Sequence, residues 1–133
     1  MYLDLLDKKE QENFLELARY AMGLNGEHKE EEEEVLTGFK NECEMPEYKA
    51  HRQEDIKKII FDLKGSTKKV KKIVMIELFG ILLADGEVCS NEAKFVDMLS
   101  EEFRIKEFEV KRIQRWVEAM NDLFAEGVEL INR

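Results

Sequence analysis

One proline, Pro46, seven glycines, two cysteines and two histidines are all this chain of 133 residues holds of the residues that break helices, staple loops or bind soft metals. With turn formers this sparse, and apolar residues recurring at intervals of three and four, no strand pattern competes and the chain reads as all-helical. Cys43 and Cys89 are too few for a disulfide framework and read as buried thiols. No recognised zinc-ligand spacing joins His28 or His51 to them. Long hydrophobic runs are missing too. The most apolar stretch, residues 73–84, carries Glu77 in its middle and is too short for a bilayer core of roughly 30 Å, so it reads as a buried helix. The opening residues Met1, Tyr2, Leu3 and Asp4 show no basic region followed by an apolar stretch and a cleavage site; no export signal and a cytoplasmic location are expected.

Basic charge is in short supply. The net charge is -9, and through Ser66 there are 10 basic residues against 17 acidic ones, with 11 against 13 after it. Such a field repels phosphates, so nucleic acid is excluded as a partner, and it favours cations or basic proteins within a reach of about 8 Å at physiological salt. There is also no phosphate-cradling glycine loop, no serine or cysteine in a nucleophile motif and no His-x-x-x-His pair, which argues against an enzyme.

What the chain does have is a pattern that returns. Residues 14–64 and 74–124 align at an offset of about 60, long enough for one three-helix unit. Gly26 falls on Gly86, Asn25 on Asp85, Glu27 on Glu87, Glu32 on Glu92, Glu47 on Glu107, Tyr48 on Phe108, Arg52 on Arg112 and Asp62 on Asp122. The apolar positions follow: Leu15, Ala18, Ala21 and Met22 fall on Met75, Leu78, Ile81 and Leu82. One domain, 1–133, is expected: a compact bundle of six or seven helices with two related halves. Asp7 with Glu10 forms a capping box for the first helix and Leu6 its staple. Gly65-Ser66 is expected to end the third helix and cap the fourth. The fourth loses its polar face after Lys72 and belongs at the centre. Trp116, Met120 and Phe124 are expected to close the core, and Gly127 to split off a short seventh helix.

The sharpest local signal is the turn Leu83-Ala84-Asp85-Gly86-Glu87-Val88 followed by Glu92. Its outline is that of half an EF-hand, yet with Gly86 at the sixth loop position Ile81 and Leu83 stand where two oxygen ligands are required, and Ala21 and Gly23 do the same in the first copy. An ordinary EF-hand is excluded. Two readings remain. In one, Gly86 takes a left-handed conformation ending a helix and the carboxylates of Asp85 and Glu92 accept from exposed amides. In the other, Asp85, Glu87 and Glu92, with Glu27, Glu32 and the amide oxygen of Asn25, converge on a hard divalent cation, calcium ahead of magnesium or zinc because it tolerates irregular all-oxygen geometry.

A helix ending Ala-Asp-Gly-Glu-Val, with a glutamate six residues after the glycine and an apolar helix beyond, resembles the TerB-like (tellurite-resistance protein B) superfamily over most of the chain. The resemblance implies an all-helical fold with two related halves, acidic residues around the Asp-Gly turns proposed to bind metal ions, and association with stress-response and membrane-surface assemblies. The matching positions are Asp85, Gly86 and Glu92 in the second half and Gly26 and Glu32 in the first; Asn25 departs from the expected aspartate and removes a charge. The leading expectation is a non-enzymatic protein-interaction module of a stress response, docking through its acidic N-terminal half or through the basic edge of Lys64, Lys68, Lys69, Lys71 and Lys72, which also leaves peripheral contact with a membrane surface open. A calcium-type ion-binding protein is the alternative. The glutamates at 30–34 read mainly as a solvated helix start favoured by the helix dipole.

Overall fold

The computed structural model describes every residue except 25, 27–29 and 85. Among the described residues a 3-10 turn, Leu3–Leu5, precedes six helices: α1 Lys8–Met22, α2 Glu30–Glu42, α3 Ile56–Lys64, α4 Lys68–Leu82, α5 Ser90–Phe103 and α6 Glu107–Ile131. A second 3-10 turn, Gln53–Asp55, leads into α3. No strand occurs among the described residues.

The capping signals act as the sequence predicts, with one shift. Asp7 accepts from the Glu10 amide at 2.8 Å while the Glu10 carboxylate accepts from the Asp7 amide at 3.0 Å. At the start of α4 the cap is Thr67, one residue later than expected, with Oγ1 accepting from the Val70 amide at 3.2 Å. Ser66 instead turns its hydroxyl to Glu10 at 2.8 Å and so ties the start of α1 to the α3–α4 junction.

The centre is α4. It contacts α1, α2, α5, α6 and the N-terminal turn, and Val74, Met75, Leu78, Phe79, Ile81 and Leu82 are sealed from solvent. Each fully buried side chain of this kind contributes about 1.5 to 3 kcal/mol. From the other helices Phe14, Leu17, Ile59, Leu63, Leu99 and Phe103 complete the core, with the rings of Phe14 and Phe39 meeting edge to face at 5.1 Å. Glu77, the charge inside this apolar helix, is buried but engaged: it accepts from the Tyr2 amide at 2.7 Å and lies 3.1 Å from the Met1 amino group. Glu42 accepts from the Leu3 amide at 2.8 Å, which pins the N-terminal turn between α2 and α4. Cys43 is buried as expected, and its desolvation, with Glu42 and Glu77 nearby, pushes the thiol up to about 11.

Elements recur 60 positions apart: α1 and α4 share both boundaries, α2 and α5 share their starts. Gly26 and Gly86 both have positive φ, 76° and 91°, and so do Glu44 and Arg104, at 58° and 56°. The correspondence stops at the third helices, since α6 begins at Glu107 whereas residues 47–52 form no helix.

Two expectations fail along α6. The helix runs unbroken through Gly127 to Ile131, so there is no seventh helix. Nor do all of Trp116, Met120 and Phe124 close the core: Trp116 is 43% and Phe124 75% exposed, with Met120 half-buried, and the last core residue on this helix is Val117. The period of three and four correctly marks an apolar face, but the globule ends before the helix does.

Candidate functional site: the glycine turns and an acidic groove

The positive φ of Gly86 lets α4 turn sharply into the segment leading to α5, since left-handed backbone is disfavoured for residues with a Cβ. Glu92, third residue of α5, then reaches back: its Oε1 accepts from the Cys89 amide at 2.8 Å, and the residue is buried. Glu32 is buried at the same third position of α2. Glu87 is exposed. Asn25, Glu27 and Asp85, the remaining candidate ligands, lie outside the described residues, as does His28. The two turns are neighbours: the Asn91 side chain donates to the Leu24 carbonyl at 3.1 Å, and the rings of Tyr20 and Phe95 meet at 5.3 Å. Among the described residues no group of three or more His, Cys, Asp or Glu side chains is placed to hold a metal ion.

Beside the Gly86 turn, α2, α4 and α6 enclose a groove of about 610 Å³. Val35, Leu83 and Phe124 give it an apolar lining, and Glu31, Glu34, Glu118 and Asp122 supply four carboxylates. On α2 the helix period separates Glu32, turned into the protein, from its exposed neighbours Glu31, Glu33 and Glu34. On α6 Glu118 and Asp122 lie one turn apart and therefore on one face. The glutamate run thus divides into one buried residue and a charged wall. The sequence marked Asp122 only as the partner of Asp62; its convergence with α2 is tertiary.

The opposite charge is partly used inside the fold. Lys64 pairs with Glu102 at 3.3 Å, Lys72 with Glu109 at 2.9 Å, and the Lys71 ammonium donates to the Lys64 carbonyl at 3.4 Å. The Lys72 ammonium holds the Glu109 carboxyl below its ordinary range. The basic edge is therefore less available than its composition suggests.

A second polar centre was not anticipated. Glu16 is fully buried on α1 and accepts from the Tyr48 hydroxyl at 2.5 Å, the His51 and Arg52 amides at 3.1 Å each, and Gln53 Nε2 at 2.8 Å. Arg52 also donates to Asn13 Oδ1 at 3.0 Å. Burial disfavours the Glu16 charge, but the donors from Tyr48, Gln53, His51 and Arg52 outweigh it and hold the carboxyl below its usual range. Burial, together with the same contact, pushes the Tyr48 phenol upward. A glutamate amid Phe14, Leu15, Leu17 and Ala18 is the sequence signal for this centre. Every oxygen contact is made to the protein's own loop, so it is an organising element.

Fold and turns define an all-α bundle with paired glycine turns between its first and second, and fourth and fifth, helices. Residues 4–115 match the family described as tellurite resistance protein TerB, and the chain belongs to that family. No curated protein and no solved structure matches it. No helix among the described residues is long and apolar enough to cross a membrane.

Proposed function

We propose that this chain is a non-enzymatic protein-interaction module working in a tellurite-resistance-type stress response, in the cytoplasm. The observation that carries the reading is the groove beside Gly86, where an apolar lining from Val35, Leu83 and Phe124 is combined with the carboxylates of Glu31, Glu34, Glu118 and Asp122. That chemistry suits a basic amphipathic segment of a partner protein: apolar contact supplies affinity, and the carboxylates select sign and speed encounter. The absence of nucleophile and phosphate-binding motifs supports a binding role over a catalytic one. Capture from native lysate with wild type and with the Glu31→Lys/Glu34→Lys/Asp122→Lys variant, followed by titration of the purified partner, is the test. A partner retained by wild type, weakened by salt and lost by the variant is expected. Failure to recover any charge-sensitive partner rejects the reading.

The second reading is a divalent cation held near Gly86, calcium first. It is favoured by the neighbouring turns and by Glu87 standing exposed beside Gly86. Calcium, magnesium, manganese and zinc titrated into chelator-stripped protein should then move amide resonances centred on Gly86 and raise the melting temperature, and Asp85→Asn should hurt more than Asn25→Ala. Glu92→Gln is informative because an amide oxygen can still cap α5. Shifts spread along residues 30–34 without a centre at Gly86 leave the turns as helix caps only.

A further inference from the structure

Beyond Val117, α6 leaves the globule gradually: Glu118, Asn121, Asp122 and Phe124 still border the acidic groove, residues 121–133 are all exposed, and past Phe124 the segment 125–131 is a free helical end of about 11 Å. A helix this short is marginal in water without packing. Its sequence is nonetheless apolar along one stripe: Trp116, Met120, Leu123, Gly127 and Leu130 follow one another at intervals of four, three, four and three, the seam spacing of two packed helices. Leu123 and Leu130 are 68% and 65% exposed. A Cβ at Gly127 would meet nothing within 4 Å, so nothing in the chain's own packing requires this mid-helix glycine, whereas a helix crossing closely over the seam does favour one.

At its N-terminal end the seam runs into a groove of about 400 Å³ between α4, α6 and the N-terminal turn, lined by Tyr2, Ile76, Phe108, Ile113 and Trp116 with Lys72 and Arg112 beside them. Charge on α6 is segregated in the same direction. Lys111, Arg112 and Arg115 lie in the N-terminal half, where Glu109 is taken up by Lys72 and Glu107 by Lys111; Glu118, Asp122, Glu126 and Glu129 lie in the C-terminal half, with Arg133 3.5 Å from Glu129. The family match ends at Arg115, so most of the seam lies outside it.

We propose that the occupant of this surface is a second copy of the same chain, with the two α6 helices antiparallel and the tail of each laid in the other's groove. Leu123 and Leu130 of one copy then cover Phe108, Ile113 and Trp116 of the other, Gly127 gives the bulk of those rings room, and Glu126 and Glu129 come opposite Arg112 and Arg115. The contact is isologous, so every favourable pair is formed twice. A parallel arrangement sets arginines against arginines and glutamates against glutamates, and so is disfavoured.

Sedimentation equilibrium on the whole chain in the micromolar range tests this directly, with a dimer of twice 15.7 kDa expected. Leu123→Glu/Leu130→Glu, both at exposed positions, should weaken association about 100-fold or more while helical circular dichroism shows the globule intact. Arg112→Glu/Arg115→Glu and Glu126→Arg/Glu129→Arg should each weaken self-association about tenfold, and an equimolar mixture of these two variants should regain wild-type affinity as a heterodimer. A wild type that stays monomeric, a dimer indifferent to Leu123 and Leu130, or a mixture of charge variants that does not pair each overturns the proposal.

Discussion

Glu16 on α1 and Ile76 on α4 each stand eight residues after the start of their helix, and the segments packed over them have opposite fates. In the first half the Glu16 carboxylate takes the amide hydrogens of His51 and Arg52 and the hydroxyl of Tyr48, so the backbone from 47 to 52 stays out of a helix and is folded over α1. In the second half Ile76 offers no acceptor, Phe108 has no hydroxyl, and the chain is helical from Glu107 onward. Where the first half is closed by a polar cage, the second is left with an apolar groove at Ile76, Phe108 and Trp116. A buried carboxylate thus competes with helix formation, because amides committed to a side chain cannot also join a helical ladder.

The largest effect expected on this comparison is from a charge placed under both halves. Leu82→Asp, at a position 1% exposed, should abolish cooperative folding, since an unpaired buried charge costs several kcal/mol against a stability of roughly 5 to 15. Ile76→Asp, at the half-buried groove position, should remain folded; equal loss in both variants, read by urea melts, would show that Ile76 is core. Next, Glu16→Ile, which makes the first half resemble the second, should cost about 3 kcal/mol because Tyr48 and two amides lose their acceptor. Hydrogen exchange at His51 and Arg52 should accelerate, and unchanged protection there would remove the cage from the explanation.

Acidity gives a smaller, graded test. The Glu16 carboxyl is held below its unfolded value of about 4.3 to 4.5, so its stabilisation is present above that pH and is lost as pH falls through the folded value. Wild type should therefore lose more stability than Glu16→Gln between neutrality and pH of about 3. The Tyr48 phenol is shifted the other way: it stays protonated in the folded state after the unfolded chain has begun to ionise near pH 10, so stability should fall as pH rises beyond that point, and Tyr48→Phe should lack the effect. Smallest are the matched left-handed positions. Glu44→Gly and Arg104→Gly should each stabilise by up to about 1 kcal/mol, and Gly86→Ala should destabilise by a similar amount. Thermal melts showing no change at all three would mean that these turns carry no strain.

The parts of the fold that were legible in the sequence are those set by local chemistry: the Asp7 and Glu10 box, the glycine turns, the unbroken apolar face of α4, the all-helical class. Residue spacing also singled out Glu92, whose carboxylate accepts from the Cys89 amide, and Glu32, buried at the same helical position of α2. It failed where the outcome depends on what lies across the fold. Trp116 and Phe124 carry a core-like period, but periodicity does not say where a globule stops. Glu16 was passed over because its partners arrive from residues 48 to 53, and the acidic groove because Glu31 and Glu118 meet only after α2 and α6 have been placed against α4.

Cys43 lends the molecule a timekeeper. Thiolate, not thiol, attacks alkylating and disulfide reagents, and a sealed side chain whose thiol ionises only at about 11 is almost wholly protected at neutral pH. Its modification must then wait for the joint between α2, α4 and the N-terminal turn to open. The labelling rate at this one sulfur, measured in the Cys89→Ser background, becomes a clock for how often that joint opens.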